Sequence, residues 1–227
     1  NIDRLVEAQC RSLNLQPSAI CSDQQFLRRV FLDVIGTAPT PTEVKAFTAD
    51  TRPDKREALV KELLDRPEYA DFWTLKWSDL LRNTRSGLGV KPHAAFTQFL
   101  RDSFARNLPF DQFVRQILTS GGDPRLSGQA NYYRVVSSPQ DLTEATSQLF
   151  LGIRLQCAKC HHHPFEKWSQ TDYYQFAAFF ANVSSSKSGG SADDILITSS
   201  GKSEVRHPKT AAIMAPAPLG LADAPPY

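Results

Sequence analysis

A mainly α, irregular multi-helix domain ending in an extended C-terminal tail with little β structure is the fold class this sequence predicts. Three observations carry it. Apolar residues recur at three- and four-residue steps through much of the first 183 positions. Helix-start signals precede several of those runs. From Ser184 onward the composition turns to Ser, Gly and Lys, and then to Pro and Ala.

Ile2, Leu5, Val6, Cys10 and Leu13 mark a first helix, which Pro17 ends. Ser22-Asp-Gln-Gln25 is a capping box opening a helix through Phe26, Leu27, Val30, Phe31 and Val34, with Gly36 as its stop. Thr40-Pro-Thr-Glu43 repeats the device ahead of Val44 and Phe47, with Pro at the first helical position. Two amphipathic helices follow, one over 53–65 and a longer one from Pro67 that carries Tyr69, Phe72, Trp73, Trp77 and Leu80. Ser86-Gly-Leu-Gly89 reads as a break, and 92–107 and 109–119 as two further helices. Residues 121–128 read as a loop, 139–151 as the helix that leads to a cysteine pair, and 173–180 as an aromatic helix. Beyond that, 184–190 reads as a flexible connection and 195–198 as one short β-like run. The expected organisation is a helical body over 1–183 and a hinge with an extended tail over 184–227.

Composition excludes several function classes. Lys and Arg total 26 against 24 Asp and Glu, and neither sign gathers into a block, so a nucleic-acid partner has no electrostatic support. No apolar run approaches the roughly 18 residues of a membrane helix. With 41% hydrophobic residues, the 227-residue chain can bury a sizeable core. It begins at Asn1, as expected of a processed or trimmed product.

The chemistry concentrates in Cys157-Ala-Lys-Cys160-His161, which matches the c-type haem attachment pattern. Two thiols three positions apart on one helical turn reach the two haem vinyl groups, and a histidine directly after the second presents its imidazole to the iron. The expectation is one covalent haem c, with His161 as the proximal ligand. Phe165 and Trp168 are expected to wall it, and His163 to tune it through a hydrogen bond. Zinc is a rival occupant, since Cys157, Cys160, His161 and His163 are zinc-type donors, but zinc sites draw their second ligand pair from a distant segment. A thiol-disulfide exchange site is the other rival, and it lacks the parallel-strand pattern such sites follow. Cys10 and Cys21 stand apart, and their expected pairing is a disulfide suited to an oxidising, exported setting.

Several separated motifs resemble one known family. They are Phe26-Leu-Arg-Arg-Val-Phe-Leu-Asp-Val-Ile-Gly36, Pro39-Thr-Pro-Thr-Glu43, Asp54-Lys-Arg56, Asn107-Leu-Pro-Phe-Asp-Gln-Phe-Val114, and Cys157-Ala-Lys-Cys-His-His-His-Pro-Phe-Glu-Lys-Trp168. Together they look like the uncharacterised planctomycete-type, cytochrome-associated domain, over roughly residues 2 to 220. The resemblance implies export, periplasmic or extracellular, from a bacterium. It also implies a multidomain parent, with a further cytochrome module in front and a second uncharacterised domain behind. His162 stands where that family usually has Asp or Asn.

A low-spin electron carrier needs a second axial ligand, and the candidates are His207, Met214 and His93, with an open or water-filled site as the alternative. His207 is the first choice, because the tail has little core character of its own and a metal bond would anchor it. The function expected is an exported monohaem cytochrome that relays electrons to a redox partner protein or fused cytochrome domain. A haem enzyme of the peroxidase or substrate-oxidising kind, and a zinc-stabilised interaction module, are the alternatives.

Overall fold

The computed structural model describes residues 2–189, 194–199 and 203–220. Within them lie eleven α-helices and one two-stranded sheet, so the chain is mainly α. Gly190 of the expected hinge and positions 221–227 of the expected tail lie outside the described residues. None of the helices is long and apolar enough to cross a membrane. The chain divides into two compact units, residues 1–69 and 70–227.

The first unit holds α1 (Ile2–Ser12), α2 (Asp23–Ile35), α3 (Pro41–Ala49) and α4 (Lys55–Asp65). Both capping boxes form: the Ser22 hydroxyl accepts from the Gln25 N–H and the Thr40 hydroxyl from the Glu43 N–H. Gly36 ends α2 at φ 73°, a left-handed conformation that a side chain would resist. Leu27, Phe31, Ile35, Phe47 and Leu63 make the core. Over it, Asp23 binds Lys55 and Arg56 at 2.6 Å each, and the Arg56 guanidinium lies 4.8 Å from the Phe26 ring centre. The two carriers of positive charge hold the Asp23 carboxyl below the usual carboxylate range, Lys55 foremost. The expected disulfide is not formed, and Cys10 and Cys21 are free thiols. Cys10 lies on α1, which buries none of its residues and so has no packing to fix that thiol against its intended partner.

The second unit begins within α5 (Pro67–Leu80) and continues through α6 (Arg85–Leu88), α7 (Val90–Ala105), α8 (Phe110–Leu118), α9 (Tyr132–Val135), α10 (Pro139–Thr146) and α11 (Gln170–Ala178). The expected break at 86–89 holds a helical turn, α6, because the Thr84 hydroxyl caps the Gly87 N–H. α9 has no counterpart in the sequence reading. It is set by Asn131, fully buried, whose amide donates to the carbonyls of Pro92, Pro124 and Gly128. A close approach fixes Gly128: a Cβ there would sit 2.2 Å from the Ala95 carbonyl oxygen. Phe96, Leu100, Phe113, Ile117, Tyr132 and Tyr133 fill the larger of this unit's two cores.

Strands β1 (Ser184–Lys187) and β2 (Ile195–Thr198) pair antiparallel, with Ser184 opposite Thr198 and Lys187 opposite Ile195. The Ser-rich start of the expected hinge is therefore ladder-bonded. Composition misled because β2 supplies the apolar partner: Ile197 is buried in the larger core and exchanges backbone hydrogen bonds with Gly122.

Candidate functional site

The chain arrives at the cysteines through α10, which passes into a π-helical turn, Ser147–Leu151. Gly152 then reverses the direction at φ 70°. Leu155–Lys159 forms a short 3-10 turn in which Leu155 and Ala158 are fully buried and Cys157 is an exposed free thiol, and Cys160, exposed and free as well, follows it directly. Turn periodicity explains the split, since Leu155 and Ala158 are three residues apart on one face.

The buried face rests on α11. Leu155 and Ala158 pack with Tyr173, Tyr174, Ala177, Ala178 and Val205 in the second core. The Lys159 carbonyl accepts from Gln170 Nε2 at 2.8 Å and from the Tyr174 hydroxyl at 3.3 Å. Lys159 Nζ meets Glu144 Oε1 at 3.4 Å, and the Tyr173 hydroxyl donates to that same oxygen at 2.9 Å. Burial pushes the Tyr173 phenol up, and the Glu144 carboxylate pushes it further. The residue between the cysteines is thus tied at both its side chain and its carbonyl.

His161 is exposed, and its Nδ1 lies 2.6 Å from the His162 carbonyl oxygen. With the ring proton on Nδ1 this contact is a hydrogen bond and Nε2 keeps its lone pair, the arrangement ligating histidines adopt. His163 has a different task. Its Nδ1 accepts from the N–H groups of Phe165 and Glu166, and its own N–H donates to the Trp168 carbonyl, so it closes the loop 163–168. Trp168 is half-buried, with its indole N–H on Glu166, and Phe165 is 93% exposed.

The residues present fit covalent haem. Two exposed thiols stand on one anchored turn, an imidazole with a bare Nε2 follows them, and an uncovered phenyl ring lies four residues on. Among the described residues no three His, Cys, Asp or Glu side chains gather as metal ligands. Cys157, Cys160, His161, Phe165 and Trp168 belong to one short segment, as their sequence proximity required.

Folding of the tail sets His207 against α11. Its ring packs edge-on against Tyr174 at 5.9 Å, and its Nδ1 accepts from the Lys209 N–H. The tail carries its own anchors: Val205 is 5% exposed in the second core, and Met214 and Leu219 pack against that core. Backbone bonds from Met214 to Val205 and from His207 to Ala212 make 205–214 a hairpin. Apolar packing and these backbone bonds thus anchor the tail without any metal bond. His93 lies on α7 with its Nδ1 on Asn83.

Sequence reasoning missed Gln170, Tyr174 and Glu144 as supports of the turn. The signal was a glutamine on the apolar face of an aromatic helix, three and four residues before Tyr173 and Tyr174.

No curated protein and no solved structure matches the chain. One family model does match it, over residues 1–185, which takes in both units' helices and the cysteine turn. The chain belongs to that family, PSCyt2, a planctomycete-type protein domain of unknown function (DUF1549).

Proposed function

We propose that the chain is an exported monohaem c-type cytochrome that relays electrons, in the periplasm or outside the cell, to a redox partner protein or a fused cytochrome domain. The observation that carries this reading is the pairing of two exposed thiols on an anchored turn with His161, whose Nδ1 is held by a carbonyl. Cys157 and Cys160 would hold the haem by adding their S–H groups across the two vinyls, with no atom lost. His161 Nε2 would hold the iron. The group supplies a reversible one-electron couple when bound.

The chain's own residues set the conditions for that couple. The His162 carbonyl keeps the His161 ring in the tautomer that binds metal and raises its basicity. Buried Leu155 and Ala158, with the two donors on the Lys159 carbonyl, hold both sulfurs on one rigid turn, so attachment orders little additional chain. Phe165 lies free to cover an apolar macrocycle edge, and Trp168 fixes the loop that presents it.

The test is a set of variants produced with a haem-attachment system. Cys157→Ser and Cys160→Ser should each leave one thioether, giving a red-shifted reduced band. The double variant should lose haem on acid-acetone extraction. His161→Ala should abolish stable attachment. Haem bound equally by the double-serine variant contradicts the reading.

A further inference from the structure

The C-terminal end of α5 departs from local preference twice. The Arg82 N–H donates to the Asp79 carbonyl at 3.1 Å and the Asn83 N–H to the Ser78 carbonyl at 2.8 Å, the paired closure that leaves the residue past the helix end left-handed. That residue is Arg82, at φ 53°, where glycine is usual. Asp79 lies in the last turn of the helix, with its carboxylate at the negative end of the dipole. Local rules broken together at one place point to a role other than local stability.

Both residues border a hollow of about 290 Å³. Its apolar walls are Leu80, Leu81, Tyr132, Val136, Ala145 and Leu149. The volume is about twice the roughly 150 Å³ that takes benzene, and lies just under the roughly 300 Å³ at which small-molecule pockets begin. One ring with a short polar arm fits that space. The polar lining is Asp79, Arg82 and Gln148, and among the described residues none of these side chains makes a hydrogen bond or an ion pair, not even Asp79 with Arg82. A second hollow, of about 330 Å³, shares Arg82, Val136, Ala145 and Gln148 with the first and is bordered by Asp141, whose carboxylate likewise has no such bond.

Charge selects the ligand class. A simple carboxylate would gain Arg82 but face Asp79 and Asp141, whereas a simple amine would gain the carboxylates but face Arg82. A molecule that carries both charges close together meets both needs. We propose that this hollow binds a free α-amino acid with an aromatic side chain. The ring lies among Leu81, Val136 and Leu149, the carboxylate pairs with the Arg82 guanidinium, and the ammonium pairs with the Asp79 carboxylate. The site stands apart from the haem reading and does not depend on it.

Equilibrium dialysis of the full chain against labelled L-phenylalanine, 3-phenylpropionate and 2-phenylethylamine tests the proposal. Arg82 and Asp79 are exposed, so the affinity expected for L-phenylalanine is modest, with a dissociation constant below about 1 mM at one site. Each single-charge probe should bind about tenfold more weakly or worse. Asp79→Asn should erase the preference for L-phenylalanine over 3-phenylpropionate, and Arg82→Gln the preference over 2-phenylethylamine. Arg82→Gly should weaken L-phenylalanine by about tenfold or more while raising the thermal midpoint by about 2–4 °C, since glycine relieves the left-handed backbone, and that separates lost binding from lost folding. Absence of L-phenylalanine binding at millimolar concentration overturns the proposal. Equal affinity for all three probes, or unchanged affinity in Arg82→Gly and Asp79→Asn, overturns it as well.

Discussion

Taking both donors away from the Lys159 carbonyl measures how firmly the cysteine turn is held. Gln170 is 5% exposed and gives that oxygen its shorter bond, 2.8 Å. Gln170→Ala removes that bond and one buried methylene, for about 2 kcal/mol in all. Tyr174→Phe removes the 3.3 Å bond and little volume, for about 0.5–1 kcal/mol. After either change the carbonyl keeps one partner. The double variant leaves it with neither, so its cost should exceed the sum of the singles by about 1 kcal/mol. Urea unfolding followed by near-ultraviolet circular dichroism gives the three values, and amide exchange across 155–160 shows whether the turn itself loosens. Strict additivity, with unchanged exchange in the turn, would refute the view that the two side chains share one acceptor.

Burial separates the remaining site residues. Leu155→Ala should cost about 2–5 kcal/mol, because the side chain is fully buried. Phe165→Ala, at 93% exposure, should change the haem-free chain's stability by no more than about 0.5 kcal/mol, and should alter the haem spectrum instead. Ending the chain before Val205 should lower the unfolding midpoint, since the lost Val205 burial alone is worth about 1.5–3 kcal/mol; equal midpoints would mean the tail does not anchor there. Acid should act through carboxylates whose pKa is depressed on folding: Asp50, held at about 2 by Arg52; Asp23, by Lys55 and Arg56; and Asp123, by Arg125. Their contribution is present above the unfolded value near 4 and lost as pH falls toward 2, which pH-dependent urea midpoints will show. Alkali should act through buried phenols with the opposite sign. Tyr132 is pushed up to about 12 by burial, and Tyr133 and Tyr173 are raised for the same first reason. Stability present below the unfolded value near 10 is lost as pH rises toward 12.

Local signals read well where local chemistry decides the structure. Ser22-Asp-Gln-Gln25 and Thr40-Pro-Thr-Glu43 form the caps their residues specify, and the 139–151 reading matches α10 with its π-helical turn. Non-local partners were invisible. β1 is a Ser-rich stretch that pairs only because Ile195–Thr198 returns beside it, and α9 exists because Asn131 ties three carbonyls from separate segments. The five residues of the site within 157–168 were legible as a motif. Their support was not, because Gln170 and Glu144 reach the Lys159 carbonyl and side chain through tertiary packing. The tail's packing was not legible for the same reason, as Val205 is buried in a core it shares with Ala158 and Tyr174, far back in the sequence.

Intact mass of the full chain, produced in a host that attaches haem and then extracted with acid-acetone, tests the central claim most directly. The mass expected is that of the polypeptide plus one whole haem, since addition of Cys157 and Cys160 across the vinyls loses no atoms. A polypeptide mass with no added haem, from a host that matures a known cytochrome in parallel, contradicts the account.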